Sequence, residues 1–405
     1  MSGQLSDESD AHVLRAPLKL PCGVVLKNRL VKAAMSDSLG DGGGRPTEQQ
    51  IELYRRWSAG GAALSIVGEV QVDHRYPEKP GNLVLGPGAG EALLARLAGV
   101  GNADHALVWP QLGHAGALAH LPISRPAGPS ALDIEGLQCD ALSRSDVEAL
   151  PGIYARAAAQ AQAAGFSGAE IHAGHGFLLS QFLSPLFNRR SDRYGGSIGN
   201  RCRLLLDIVR HVRTTVGARF ALGVKINSSD QLAGGLSEDD ALFVISALGE
   251  AEVDLIDISG GTYFPSAPAS SDRRSSGPYF VDFARRARTV TDVPLMVTGG
   301  FKTRREAAEA VASGATDVVG LARTLALDPY LPAKWCAPNG GDPEFPSFVS
   351  PPVGGITAWF TMRLTAIANG TDQNFNQTLG SAIDAYESRD ASRVVAWKLT
   401  FDVRD

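Results

Sequence analysis

The sequence predicts an α/β protein organised as a (β/α)8 TIM barrel, and three observations carry that expectation. Eight short apolar runs alternate with longer helical patterns between about residues 28 and 327. Polar residues gather where those runs end, the side on which such barrels build active sites. No Gly-x-Gly-x-x-Gly follows the first run, which disfavours a doubly wound open sheet.

In chain order the strands read RLVKAAM, ALSIVGEV, ALVWPQLGH, GAEIHAG, ALGVKIN, VDLIDISGG, PLMVTGG and TDVVGLAR. The segments between them carry helix signals. Thr47 to Gln50 has capping-box form before IELYRRWSAGG, and Ser237 to Asp240 has it before ALFVISALGEAE. In NRCRLLLDIVRHVRTTVG, Leu205, Ile208, Val209, Val212 and Val216 share a helical face, and Gly217 is placed to end it.

Two regions exceed a minimal barrel. A Pro/Gly/Ser-rich insertion, AGALAHLPISRPAGPSALDIEGLQCDALSRSD, follows the third strand. The tail has a Pro/Gly-rich linker and then ITAWFTMRLTAIA, where Ile356, Phe360, Leu364 and Ile367 form an apolar stripe suited to the barrel or to a second subunit. A homo-oligomer is therefore an open expectation. The expected division is a flexible N-terminus over 1–14, a barrel over 15–330, and a linker with a C-terminal helical extension over 331–405.

Composition narrows the partners. Among 405 residues, 44% are hydrophobic and 20% charged, with a formal net charge of −5 and the two signs mixed. No basic stripe argues for nucleic acid and no apolar run for a membrane, which leaves a small molecule. Cys22, Cys139, Cys202 and Cys336 lack metal or disulfide spacing, and the start MSGQLSDESDAHVL lacks a signal-peptide pattern, so a reduced cytoplasmic protein is expected. Asn369-Gly-Thr371 matches a glycosylation sequon by chance.

The strand ends supply Ser36, Glu69, Gln111, His114, His172, His175, Lys225, Asp230, Ser259, Thr298 and Arg323. The set is rich in donors and reads as lacking a carboxylate cluster, which argues against glycoside hydrolysis and a hard metal site. Gly299 and Gly300 close strand seven and Arg323 follows strand eight, a pattern suited to phosphate. His172 and His175 share one strand end, but no Cys or carboxylate spacing completes a zinc site, so no metal is expected.

HAGHGFLLSQFLSPLFNRRSDRYGGSIGNR resembles the signature of the Old Yellow Enzyme family of FMN-dependent NAD(P)H:acceptor oxidoreductases. KNRLVKAAMSDSLGD, PQLGHAG, GVKINSSD, TGGF and GLARTLALDP extend the resemblance in family order over about residues 15 to 330. It implies non-covalent FMN across the strand ends, with NADPH or NADH as hydride donor. By matching position, Ala34, Met35 and Ser36 would lie along the flavin and Gly68 would flank it. Gln111 would bond its pyrimidine edge, and Lys225 would stabilise charge on N1/O2. A lysine ending an apolar strand is costly without an anion to meet. Gly300, Ala322 and Arg323 would hold the phosphate.

The same resemblance implies that His172 and His175 donate to the oxygen of a bound acceptor, lined also by Phe177 and Ser38. Phe177 departs from the family, in which tyrosine at this place protonates the α-carbon. Tyr263 is the first candidate substitute, ahead of Tyr76 and Tyr279. The leading expectation is reduction of an α,β-unsaturated carbonyl. A quinone, nitro-compound or oxygen reductase is the alternative. A barrel isomerase or lyase with Lys225 as a Schiff base, and a non-catalytic flavin binder, are further readings. The loops near Tyr263 and Arg273/Arg274 are expected to shape donor docking.

Overall fold

The computed structural model describes residues 7–86, 90–265, 267 and 277–403. Its centre is a closed barrel of eight parallel strands. These are β1 (Leu30–Met35), β2 (Leu64–Gln71), β3 (Leu107–Gly113), β4 (Gly168–Ala173), β5 (Ala221–Asn227), β6 (Leu255–Ser259), β7 (Leu295–Thr298) and β8 (Val318–Leu321). Each pairs with the next in sequence, and β8 returns to β1. The (β/α)8 barrel expected from the sequence is the fold observed.

The interior is plugged before it becomes a site. Val31, Leu64, Trp109, Leu255, Met296 and Val318, from six strands, form one fully buried apolar cluster. The Trp109 indole explains two glycines. A Cβ on Gly168 would stand 2.6 Å from the ring, and one on Gly223 would stand 3.2 Å away. Only bare backbone on β4 and β5 lets the largest side chain seal the barrel.

A helix follows each strand: α1 (Glu48–Ala59), α2 (Glu91–Gly101), α3 (Arg144–Ala163), α4 (Arg203–Val216), α5 (Glu238–Gly249), α6 (Val281–Ala287), α7 (Arg304–Ala312) and α8 (Arg323–Leu327). Thr47 Oγ1 accepts the Gln50 N–H at 3.2 Å, but Gln50 does not reciprocate and turns its amide to Asp37. Ser237 caps α5 in the same one-sided way. Reciprocal boxes occur instead at Ser143/Asp146 and Thr303/Glu306. The predicted stripe on α4 is buried, and Gly217 ends the helix at φ +75°.

Within the segment expected to be a flexible N-terminus, Asp7–Arg15 is a helix whose Ala11 and Leu14 are buried, and it packs against α7. Their i, i+3 spacing is the signal that the polar composition obscured. The insertion after β3 is also more ordered than its composition suggests. It contains two 3-10 turns and a small sheet of Ala127–Gly128, Leu132–Ile134 and Leu137–Ala141.

The tail folds onto this chain's own barrel. Leu331–Trp335 is a short helix with Leu331, Pro332 and Trp335 buried. Next, α9 (Gly355–Ala368) buries Phe360, Leu364 and Ile367 against α1 and α8. Arg56 on α1 donates to the Ile367 carbonyl and to Asp372 at 2.6 and 2.7 Å. The last helix, α10 (Leu379–Phe401), packs on α9 and carries fully buried Trp397 into a cluster with Val84 and Ile123. No helix among the described residues is long and apolar enough to cross a membrane.

Candidate active site at the barrel mouth

Above the apolar plug lies a tier of charge. Gln111 faces Glu170 across β3 and β4, and its Nε2 donates to Glu170 Oε1 at 2.7 Å. Lys225 faces Asp257 across β5 and β6, with Nζ 2.5 Å from Oδ2, and Thr298 Oγ1 donates to the other Asp257 oxygen at 2.7 Å. All five side chains are buried.

The electrostatics follow from that burial. Desolvation pushes the Glu170 carboxyl up to about 8 against the pull of Lys225, and it raises Asp257 in the same way. Burial alone would lower the Lys225 ammonium, but Asp257 and Glu170 outweigh it and hold the group above its usual value. Lys225 is therefore a fixed cation at neutral pH.

The absence of a carboxylate cluster, expected from the strand ends, is overturned. Glu170 and Asp257 stand within the barrel, and Glu69 and Glu78 act on each other at its mouth. Period-2 alternation could have found two of them: Glu170 is two residues before His172, and Asp257 is two before Ser259. Among the described residues, no three His, Cys, Asp or Glu side chains are grouped to hold a metal.

The two histidines come together. His172 is the next-to-last residue of β4, and His175 follows at φ +59°, held by an N–H donated to Asn227 Oδ1 at 2.9 Å. Their rings meet edge to face with centroids 5.1 Å apart. His175 Nε2 lies 2.7 Å from Ser259 Oγ. His172 Nδ1 accepts the Gly174 N–H at 3.4 Å, which places the proton of a neutral ring on Nε2. That Nε2 is buried without a hydrogen-bond partner. Burial lowers both rings, His175 to about 3 and His172 well below its ordinary value, so both are neutral at physiological pH.

Glu69 enters the same space because β2 bulges between Val67 and Val70. A Cβ on Gly68 would stand 2.3 Å from the Met35 oxygen, so the chain turns there on bare backbone. Glu69 follows in the left-handed region at φ +55°, with Oε1 3.7 Å from His172 Nε2. Phe177 is buried with its ring 5.2 Å from His172. Tyr263 is 61% exposed, and its ring lies 5.7 Å from His175 and 5.8 Å from Phe177. Tyr76 stacks on His114, and Tyr279 packs on Phe280.

The remaining predicted residues divide between two ends. Ala34, Met35 and Ser36 are half-buried at the end of β1, and Ser36 lies close enough to Glu78 to lower that carboxyl's pKa against its burial. Ser38 lies apart, in contact with Gly81 and under α10, where its carbonyl accepts from Arg393. At the other end Gly299 and Gly300 adopt φ +122° and +85°, and a Cβ on Gly300 would stand 2.4 Å from the Gly277 oxygen. Ala322 takes φ −122° and ψ −86° before Arg323 opens α8, its guanidinium 5.3 Å from the Phe360 ring. Arg273 and Arg274 lie outside the described residues.

This donor set fits FMN. Arg323 at the start of α8 suits a phosphate, while Lys225 and Gln111 offer a cation and an amide for an electron-rich ring edge. Arg393 on α10 meets the loop after β1 at Ser38, a contact that the strand-end search did not include.

The model of the NADH:flavin oxidoreductase / NADH oxidase family matches residues 14–337. The chain is 36% identical over 349 residues to the NADH-dependent flavin oxidoreductase iliE of Hypocrea jecorina, covering 78% of this chain and 87% of that protein. It is 29% identical over 356 residues to the NADH oxidase of Thermoanaerobacter brockii, covering 85% of this chain and 54% of that one. Among solved structures, a 2-naphthoyl-CoA reductase complex superposes with a TM-score of 0.76 at 26% identity, over 80% of this chain and 52% of that one. Morphinone reductase in complex with tetrahydroNAD shares the fold with a TM-score of 0.70 at 24% identity, over 82% and 93% of the two chains.

Proposed function

The chain belongs to the NADH:flavin oxidoreductase / NADH oxidase family, and from that premise we propose that it reduces the C=C bond of an α,β-unsaturated carbonyl held at its oxygen by His172 and His175. It is an FMN-dependent oxidoreductase of the Old Yellow Enzyme type that draws on NADH or NADPH. Bound FMN supplies hydride chemistry, and the protein supplies binding, orientation and electrostatics.

One observation carries the finer reading: the His172 Nε2–H is buried without an acceptor beside a second neutral imidazole. An unpaired buried donor costs about 1–3 kcal/mol, a cost that a ligand oxygen removes. If Ser259 donates to His175 Nε2, the His175 Nδ1–H remains for the same oxygen. Two neutral N–H groups drawing on one carbonyl leave its β-carbon electron-poor. Ala34, Met35, Ser36 and Gly68 would line the flavin, Gln111 and Lys225 would meet its pyrimidine edge, and Gly299, Gly300, Ala322 and Arg323 would hold its phosphate.

A quinone, nitro-compound or oxygen reductase is the second reading, favoured by the lack of a hydroxyl at Phe177. The Schiff-base lyase is disfavoured, because Asp257 holds Lys225 protonated and an ammonium is no nucleophile. Oxidation of NADH and NADPH by the purified yellow protein with an enone and a quinone tests these readings. Enone turnover above that of free FMN is expected, and turnover equal to free FMN contradicts a catalytic role.

A further inference from the structure

We propose that Glu69 is the acid of this site, and that it delivers its proton through His172 to the oxygen of the bound acceptor, replacing the carbon acid that Phe177 cannot be. The inference rests on the oxygen-clamp reading above. Its geometric basis is the bulge in β2, which turns a buried carboxyl to 3.7 Å from the one nitrogen of His172 that has no partner. That gap is too long for a hydrogen bond at rest, so the His172 proton stays directed at the ligand.

The groups facing Glu69 set its state. Burial raises its carboxyl well above the ordinary range, and Glu78, from the loop after β2, raises it further. Lys225 on β5 and Gln71 on β2 oppose this, while Glu170 on β4 adds to it. Neutral His172 lies beside the carboxyl, and Tyr154 and Tyr263 also feel its charge. A carboxylic acid is thus held protonated beside an imidazole at neutral pH.

The step balances as follows. A hydride, originating in the reduced nicotinamide, adds with its electron pair to the β-carbon, and the C=C π electrons move to the carbonyl oxygen. The oxygen takes the His172 Nε2 proton, Nε2 is reprotonated by Glu69, and solvent later reprotonates the Glu69 carboxylate. The product leaves as an enol and becomes the ketone by exchange with water. The α-carbon therefore receives its proton outside steric control, which distinguishes this route from a tyrosine aimed at carbon.

The test uses the FMN-loaded protein and Glu69→Gln. With an α-methyl cyclic enone in D2O, wild type should give product deuterated at the α-carbon in both configurations. Enone reduction by Glu69→Gln should fall about 10²-fold or more, with flavin content and anaerobic bleaching by NADH unchanged. A single α-configuration from wild type, or an unchanged enone rate in the variant, overturns the proposal. A second readout is independent of turnover: 4-hydroxybenzaldehyde binding, followed by its long-wavelength absorbance with flavin across pH. Wild-type affinity should decline on the alkaline limb as Glu69 ionises against the phenolate, and Glu69→Gln should show a clearly smaller decline, the remainder belonging to Glu170 and Glu78. Identical profiles overturn the role of Glu69. Absence of phenol binding in wild type instead overturns the oxygen clamp itself.

Discussion

Arg393 on the last helix donates from Nη1 to the carbonyl oxygen of Ser38 at 2.5 Å, tying the end of the chain to the loop after the first barrel strand. Ser38 holds a left-handed conformation at φ +52° there, packed against Gly81. Removing a charged donor from such a bond costs about 1.5–3 kcal/mol. Arg393→Ala should lower the urea midpoint accordingly and speed FMN release on dilution. An unchanged midpoint and release rate would show that α10 does not brace this loop.

Lys225 is the ion-pair partner of Asp257 in the interior tier, and its removal leaves that buried carboxylate without its direct counter-charge. Breaking such a buried pair costs about 3–5 kcal/mol, while replacing both partners costs far less. Lys225→Met should be strongly destabilised, and adding Asp257→Asn should recover part of the loss in a double-mutant cycle. Additive effects would mean that the two groups do not interact.

Phe177 stands 5.2 Å from His172, so a tyrosine there brings a phenol to the acceptor's side of the mouth. Phe177→Tyr should impose one configuration at the α-carbon during enone reduction, leaving quinone reduction unchanged. A product still mixed at that centre would show that the added hydroxyl does not reach the carbon.

The pH dependence of stability has opposite signs at its two limbs. The Glu170 carboxyl sits at about 8 in the folded chain, above the ~4.3 of an unfolded glutamate. Its contribution is full below the unfolded value and is lost as pH rises toward 8. His114 and His120 sit at about 4, so their contribution is lost as pH falls from about 6.5 toward 4. In the FMN-free protein, Glu170→Gln should flatten the alkaline limb of melting temperature and leave the acid limb intact. An unaltered alkaline limb would mean that Glu170 is ionised well below 8.

The barrel was legible because strand ends and helix caps are local. Apolar runs, Gly217 and the α4 stripe announce themselves within a few residues. The strand ends that carry the histidine pair and the expected cofactor contacts were legible because the motif spans strands in fixed order. Glu69 was visible as a strand-end residue, but its approach to His172 depends on a bulge and a left-handed φ that no residue pattern signals. Arg393 was hidden for a different reason: it meets Ser38 across nearly the whole chain, through a tail whose apolar stripe names no docking surface.

The claim on which the rest depends is that His172 and His175 grip one ligand oxygen beside the flavin. Its most direct measurement is spectral titration of FMN-loaded protein with 4-hydroxybenzaldehyde at neutral pH, in wild type and in His172→Ala and His175→Ala. Each lost N–H to an anionic oxygen is worth about 1.5–3 kcal/mol. The account predicts a long-wavelength band in wild type and a dissociation constant raised at least tenfold in each variant, with flavin content unchanged. Binding as tight in both variants as in wild type would contradict it.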